Sequence, residues 1–138
     1  FVGDVDRADG KMLSTLVEAG IVPVMAPLTH DGAGHILNTN ADTIAGETAK
    51  ALAQYYDVTL VYCFEKKGVL SNPDDDDSVI PVITRNDFRH YVEDGTVSGG
   101  MIPKIENAFQ AIDAGVKKVV ITCASAIDGN NGTVINNL

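Results

Sequence analysis

Two amphipathic stripes, each followed within a few residues by a β-forming run, constrain this chain more than any other feature. Ala41 to Tyr56 carries Ala41, Ile44, Ala45, Ala49, Leu52 and Tyr56 at the spacing of one buried helix face. Val58 to Phe64 follows, rich in residues that favour a pleated surface. Met101 to Ala114 repeats the arrangement with Ile102, Ile105, Ala108, Phe109 and Ile112. Gly115 ends that helix, and Lys117 to Cys123 is the next apolar run. Helix and strand alternating in this way predict an α/β fold: a three-layer αβα sandwich with a mainly parallel sheet covered on both faces. Ligands of such sheets lie at the carboxyl ends of the strands.

The flanking segments read as follows. Val2 to Arg7 is a candidate short strand. Asp9 to Ala19 is a helix, with Met12, Leu13, Leu16 and Val17 on one face and Gly20 as its stop. Ile21 to Leu28 is a continuous apolar run, as expected of a buried strand, and Pro23 and Pro27 place its ends or a sheet edge there. His30 to Gly34 is a turn and His35 to Leu37 a short strand. Lys67 to Pro81 is a turn-rich loop, and its Asp74 to Asp77 run reads as a solvated acidic stretch. Thr84 to Glu93 is a helix with Thr84 as N-cap and Asp87 completing a capping box. Gly132 to Ile135 is expected to add a short edge strand.

With 138 residues and no internal repeat or linker, the chain reads as one domain. It begins at Phe1, without a methionine and inside an apparent strand, which points to an absent front portion. No window reaches the roughly 18 uninterrupted apolar residues of a membrane span. A net charge of −9 argues against nucleic acid as a partner. It leaves room for a phosphate ligand, because a few local cations and helix ends dominate a small pocket. Cys63 and Cys123 both lie in apolar β-type runs and read as buried, reduced residues. Nothing resembles a disulfide framework, so the expected setting is cytoplasmic.

Both helices that follow the opening pattern start with unusual chemistry. Helix starts present unpaired N–H groups and a positive dipole end, which suit anions. At the first, Asn38-Thr39-Asn40-Ala41-Asp42, capping accounts for Asn40 and dipole compensation for Asp42, but neither accounts for Asn38. At the second, Ser98-Gly99-Gly100-Met101-Ile102-Pro103-Lys104, a lysine opposes the dipole where stability alone favours an acid. Two glycines before it allow positive φ and close backbone approach. One reading is a nest of N–H groups with a lysine aimed at phosphate oxygens; the other is a surface lysine after a loop.

The segment Asn38 to Asp42 with Thr43-Ile44-Ala45 resembles the Asn-x-Asn-Ala-Asp signature of the N-acetylglutamate kinases, in the amino acid kinase superfamily. Ser98 to Lys104 resembles their second motif. Ile21 to Pro27, Asp31, Gly32, Gly34 and the closing Gly132-Thr133-x-Ile135 are also similar, so the resemblance runs from end to end. It implies the amino acid kinase (carbamate kinase-like) fold and ATP-dependent phosphorylation of the γ-carboxylate of an acylglutamate, a step of arginine biosynthesis. It implies that Asn38 holds the substrate with Asn40 in support, that Asp42 organises catalytic lysines, and that Lys104 stabilises the transferring phosphoryl group. Glu65, Lys66, Lys67, Gly68, Val69 and Leu70, with Thr96 to Lys104 (Ser98, Gly99, Gly100 and Met101 included), would line the ATP site. Lys66 and Lys67, beside Gly68, are expected to face nucleotide phosphate. ATP and Mg²⁺ are the implied cofactors, ATP and an N-acylglutamate the small-molecule partners, and a homo-oligomer the implied state of a full-length protein.

Two departures qualify the resemblance. Glu65 stands where the family usually has Asp. The N-terminal half of the family, with its glycine-rich loop, a lysine, an arginine and the dimerising surface, does not precede Phe1. The chain therefore reads as the C-terminal nucleotide-binding half, with little activity expected of it alone.

A glutamate γ-carboxylate has a pKa of about 4.3 and needs no general base at neutral pH. Asp42 is then an orienter of cations rather than a proton acceptor. The alternatives are a non-catalytic nucleotide-binding or regulatory module, and a kinase for another N-acyl amino acid such as N-succinylglutamate. Gly32-Ala33-Gly34 lacks the third glycine of a dinucleotide fingerprint, and His30, His35 and His90 lack zinc spacing.

Overall fold

Capping chemistry defines most helix starts in the computed structural model, which describes residues 1–137. Helix α1 (Gly10–Glu18) begins where the Asp9 carboxylate accepts from Met12 N at 2.9 Å. Helix α2 (Ala41–Leu52) begins at Asn40, whose Oδ1 accepts from Asp42 N at 2.8 Å and Thr43 N at 3.2 Å. Helix α3 (Arg85–Glu93) carries the full capping box of Thr84 and Asp87. Helix α4 (Met101–Asp113) differs: Gly100 is its N-cap and no side chain caps it.

The strands are β1 (Leu28–His30), β2 (Ile36–Asn38), β3 (Thr59–Phe64), β4 (Val82–Ile83), β5 (Lys118–Cys123) and β6 (Thr133–Ile135). β1 and β2 form an antiparallel hairpin. The other four make one sheet in the order β3-β5-β6-β4. β3 pairs with β5 in parallel, as does β4 with β6, while β5 and β6 run antiparallel. The fold is α/β and the sheet mainly parallel, as the alternating pattern predicts.

Alternation along β3 and β5 sends Leu60, Tyr62, Val119 and Ile121 to the face covered by α2 and α4, where they form the core with Ile105, Ala108 and Phe109. Phe88 of α3 packs on Phe109 with ring centroids 5.8 Å apart. Small residues let α2 approach closely: a Cβ added at Gly46 would sit 3.2 Å from the Tyr62 hydroxyl. On the opposite face the chain returns through Gly129 over Thr59 and Val61.

Four expectations need correction. Ile21 to Leu28 is not a buried strand: only Leu28 enters β1, and Val22 and Val24 are 84% and 93% exposed. No described strand pairs with Ile21 to Ala26, and Pro23 and Pro27 lack the N–H a neighbour would need. Val2 to Arg7 contributes only a single bridge, Val2 to Asn38. Gly132 to Ile135 is no edge strand, because β6 sits between β5 and β4. Cys63 is exposed and Cys123 half-buried rather than both buried. β3 lies at the sheet edge, and Cys63 points away from the helical face that holds Tyr62.

Candidate active site

The first turns of α2 and α4 meet. Lys104 Nζ donates to Asp42 Oδ2 at 2.6 Å, and the lysine side chain is only 14% exposed. This contact explains a lysine in the first turn of α4: the Asp42 carboxylate offsets both the helix dipole and the desolvation. The same ammonium lies 5.0 Å from the centre of the Tyr62 ring. The Tyr62 hydroxyl donates to the Asp42 carbonyl oxygen at 3.3 Å. Burial, then the charges of Asp42 and Glu47, push the Tyr62 phenol up to about 12.

The approach to this pair from Ser98 is open backbone. Gly99 has φ +56, and a Cβ at Gly99 or Gly100 would meet nothing within 4 Å. Met101 N reaches back to Ser98 O at 3.3 Å and Ile102 N to Gly99 O at 3.2 Å. The amides of Ser98, Gly99 and Gly100 find no acceptor among the described residues. A helix start without a side-chain cap, preceded by amides that have no acceptor, is suited to receive an anion.

On the α2 side, Asn38 and Asn40 are exposed while Thr39 between them is buried. Thr39 is held inside by Thr29 Oγ1 at 2.8 Å and by donating to the Gly3 carbonyl at 3.1 Å. Asn38 is fixed through its backbone, which pairs in β2 and bonds to Phe1 and Gly3. The two asparagines therefore present on one side of an extended segment. Asn40 also caps α2, so the structural role read from sequence is real and occupies its carbonyl oxygen.

The segment after β3 is held rather than open. Glu65 and Lys67 are exposed, while Gly68, Val69 and Leu70 are buried. A Cβ at Gly68 would come 2.7 Å from Val79 Cγ1 and 2.9 Å from Thr133 Oγ1. Lys66 and Lys67 pair with Asp76 at 2.8 Å and Asp77 at 2.9 Å. These pairs are largely exposed and hence weak. The acidic run thus shields the two lysines, a contact that their sequence position beside Gly68 does not reveal. Sequence reasoning also missed Tyr62, since an aromatic residue inside an apolar strand carries no signal beyond core packing.

His35 Nδ1 lies 2.6 Å from Asp31 Oδ2, and this bond, with the backbone amides of Ala33 and His35, holds the Asp31 carboxyl below its usual range. That pair is exposed and sits in the β1–β2 turn, apart from the Lys104 contact. Among the described residues, no three His, Cys, Asp or Glu side chains gather as a metal cage, and no helix is long and apolar enough to cross a membrane.

A mainly parallel sheet with an ammonium and a carboxylate joining two helix starts defines an α/β fold whose candidate site is of a kind able to receive an anion. The sequence pattern of the amino acid kinase family matches residues 1–123, and the chain belongs to that family. It is 68% identical over 135 residues to the acetylglutamate kinase of Bacteroides thetaiotaomicron, covering 98% of this chain and 52% of that protein. The acetylglutamate kinase of Brachyspira hyodysenteriae is 39% identical over 121 residues, 88% of this chain and 41% of that one. The chain thus spans about half the length of the curated relatives it matches. A crystal structure of a Streptococcus mutans protein superposes with a TM-score of 0.81 at 33% identity, covering 99% of this chain and 51% of that one. Carbamate kinase from Giardia lamblia bound to AMP-PNP shares the fold, with a TM-score of 0.65 at 20% identity over 94% of this chain and 50% of its own.

Proposed function

We propose that this chain supplies the C-terminal, nucleotide-binding half of an acetylglutamate kinase, which moves the γ-phosphate of ATP to the γ-carboxylate of N-acetylglutamate. The observation that carries the reading is the Lys104–Asp42 contact at 2.6 Å, made by residues of both motifs at the N-termini of α2 and α4. The relatives at 65–68% identity, all acetylglutamate kinases, support the same substrate pair. The exposed apolar run Ile21 to Met25 supports a larger whole, because a face this apolar calls for cover from a further part of the molecule.

The free amides of Ser98, Gly99 and Gly100 fit the phosphates of a nucleotide, and Lys104, near the start of the helix that follows them, fits the oxygens of the group in transfer. Met101, Glu65, Lys66, Lys67, Gly68, Val69 and Leu70 complete the assigned ATP site, with Lys66 and Lys67 exchanging their aspartate partners for phosphate. Asn38 donates to the acylglutamate and Asn40 supports it through the amide nitrogen that capping leaves free. Asp42 aims Lys104. Mg²⁺ is held by one or two carboxylates and by phosphates, so it needs no protein cage. When bound with ATP it neutralises charge on the phosphate oxygens.

The acceptor carboxylate is ionised at neutral pH, so the chain has no proton to remove. Its residues position the two substrates in line, exclude other geometries and place positive charge where negative charge gathers. The two unpaired cysteines support a cytoplasmic setting. The test is acyl-phosphate trapping with hydroxylamine on the full-length protein, given ATP and glutamate, N-acetylglutamate or N-succinylglutamate in turn. Product with N-acetylglutamate supports the reading, product only with N-succinylglutamate reassigns the acyl group, and no product from any of them removes it.

A further inference from the structure

The Lys104–Asp42 pair rests on one buried side chain that belongs to neither motif. Tyr62 is 3% exposed, on β3, and touches both members of the pair. Its ring centre lies 5.0 Å from Lys104 Nζ, and its hydroxyl donates to the Asp42 carbonyl oxygen at 3.3 Å. Packing alone would be served by a leucine, as at Leu60 two residues earlier on the same face. A tyrosine needs room for its oxygen, and Gly46 provides it, since a Cβ there would come within 3.2 Å of that oxygen. The phenol stays protonated well above neutral pH, so it remains a donor throughout the working range.

From this geometry we infer that Tyr62 is a positioning residue for phosphoryl transfer, setting the place of the Lys104 ammonium through its ring and of Asp42 through its hydroxyl. The inference rests on the kinase reading above. An ammonium has three donors. Asp42 takes one, and the ring attracts the charge through its face without offering a lone-pair acceptor. The remaining donors stay available to phosphoryl oxygens. A second carboxylate in the place of the ring would fix the lysine equally well but would compete with the substrate for it.

The experiment compares Tyr62→Leu, which removes the ring, with Tyr62→Phe, which keeps it, in the full-length protein. For Tyr62→Leu, kcat for acyl-phosphate formation falls about 5- to 20-fold while KM for ATP and N-acetylglutamate stays within about twofold. Tyr62→Phe recovers most of that loss. In parallel, proton–carbon NMR reads the ε-methylene of Lys104, assigned by its loss in Lys104→Arg. An upfield ring-current shift is expected in wild type and Tyr62→Phe and is lost in Tyr62→Leu. Absence of the shift in wild type overturns the contact. A shift lost in Tyr62→Leu with kcat unchanged overturns the positioning role, as does a loss confined to KM. A full-length protein with no kinase activity overturns the function itself, while the NMR comparison still judges whether Tyr62 places Lys104.

Discussion

Thr133 is wholly buried and ties Val69 to Ile80: its Oγ1 accepts from Val69 N at 2.8 Å and donates to the Ile80 carbonyl at 2.7 Å. One hydroxyl thereby fastens both ends of the loop that holds the acidic run to strand β6. Thr133→Val keeps the shape and removes both bonds, leaving a donor buried without its partner. The expected loss is about 2–4 kcal/mol, read as a lowered urea midpoint at unchanged m-value. Thr133→Ser, which keeps the hydroxyl, should recover more than half of it.

Lys104→Ala in the full-length protein should lower kcat by about 100-fold or more, with the circular-dichroism spectrum unchanged. Asp42→Ala should lower it less. The double variant should be no worse than Lys104→Ala by more than about threefold, since Asp42 acts through the lysine. Additive losses would show that Asp42 has a separate role.

Gly68 separates packing from flexibility. Gly68→Ala drives a methyl into Val79 and Thr133, at an expected cost of about 1–3 kcal/mol. Gly100→Ala meets open space and should change stability by no more than about 0.5 kcal/mol. Thermal unfolding of the two variants checks the contrast. Equal destabilisation would mean that backbone freedom, not contact, fixes Gly68.

The Asp87 carboxyl lies below its ordinary 3.8, first because the Thr84 backbone N–H donates to it and then because the Thr84 hydroxyl does. A carboxyl depressed on folding stabilises the fold above its unfolded value and loses that contribution as pH falls through the folded one. Asp87→Ala should therefore be less stable than wild type at pH 6, and the gap should close as pH drops below 3.8. Urea unfolding of both proteins at pH 6 and at about pH 2.5 measures it.

Periodicity located α2, α4, β3 and β5 because each buries one face in a core made within the chain. Local chemistry located the caps at Asn40 and Thr84 for the same reason: the partners are two or three residues away. The sequence misled where the outcome depended on distant neighbours. Ile21 to Leu28 has the composition of a central strand, yet no described strand pairs with Val22 to Met25 and their side chains stay in solvent. Cys63 lies in a run as apolar as that of Cys123, but β5 is flanked on both sides and β3 on one. The Lys104–Asp42 contact joins residues 62 apart in sequence, and the motifs announced its two ends. Tyr62 was silent, because a strand interior looks the same whether its aromatic ring fills space or carries a cation.

The strand order has a consequence for how the molecule is made. β3 and β4, synthesised first, are the outer strands, and β5 and β6, synthesised last, fill the gap between them. On the ribosome β3 would therefore wait unpaired until β5 has left the exit tunnel, and β4 until β6 with Ile135 has followed. The acidic loop that joins β3 to β4 is what spans them meanwhile, and its like charges would discourage two nascent chains from pairing through their open edges.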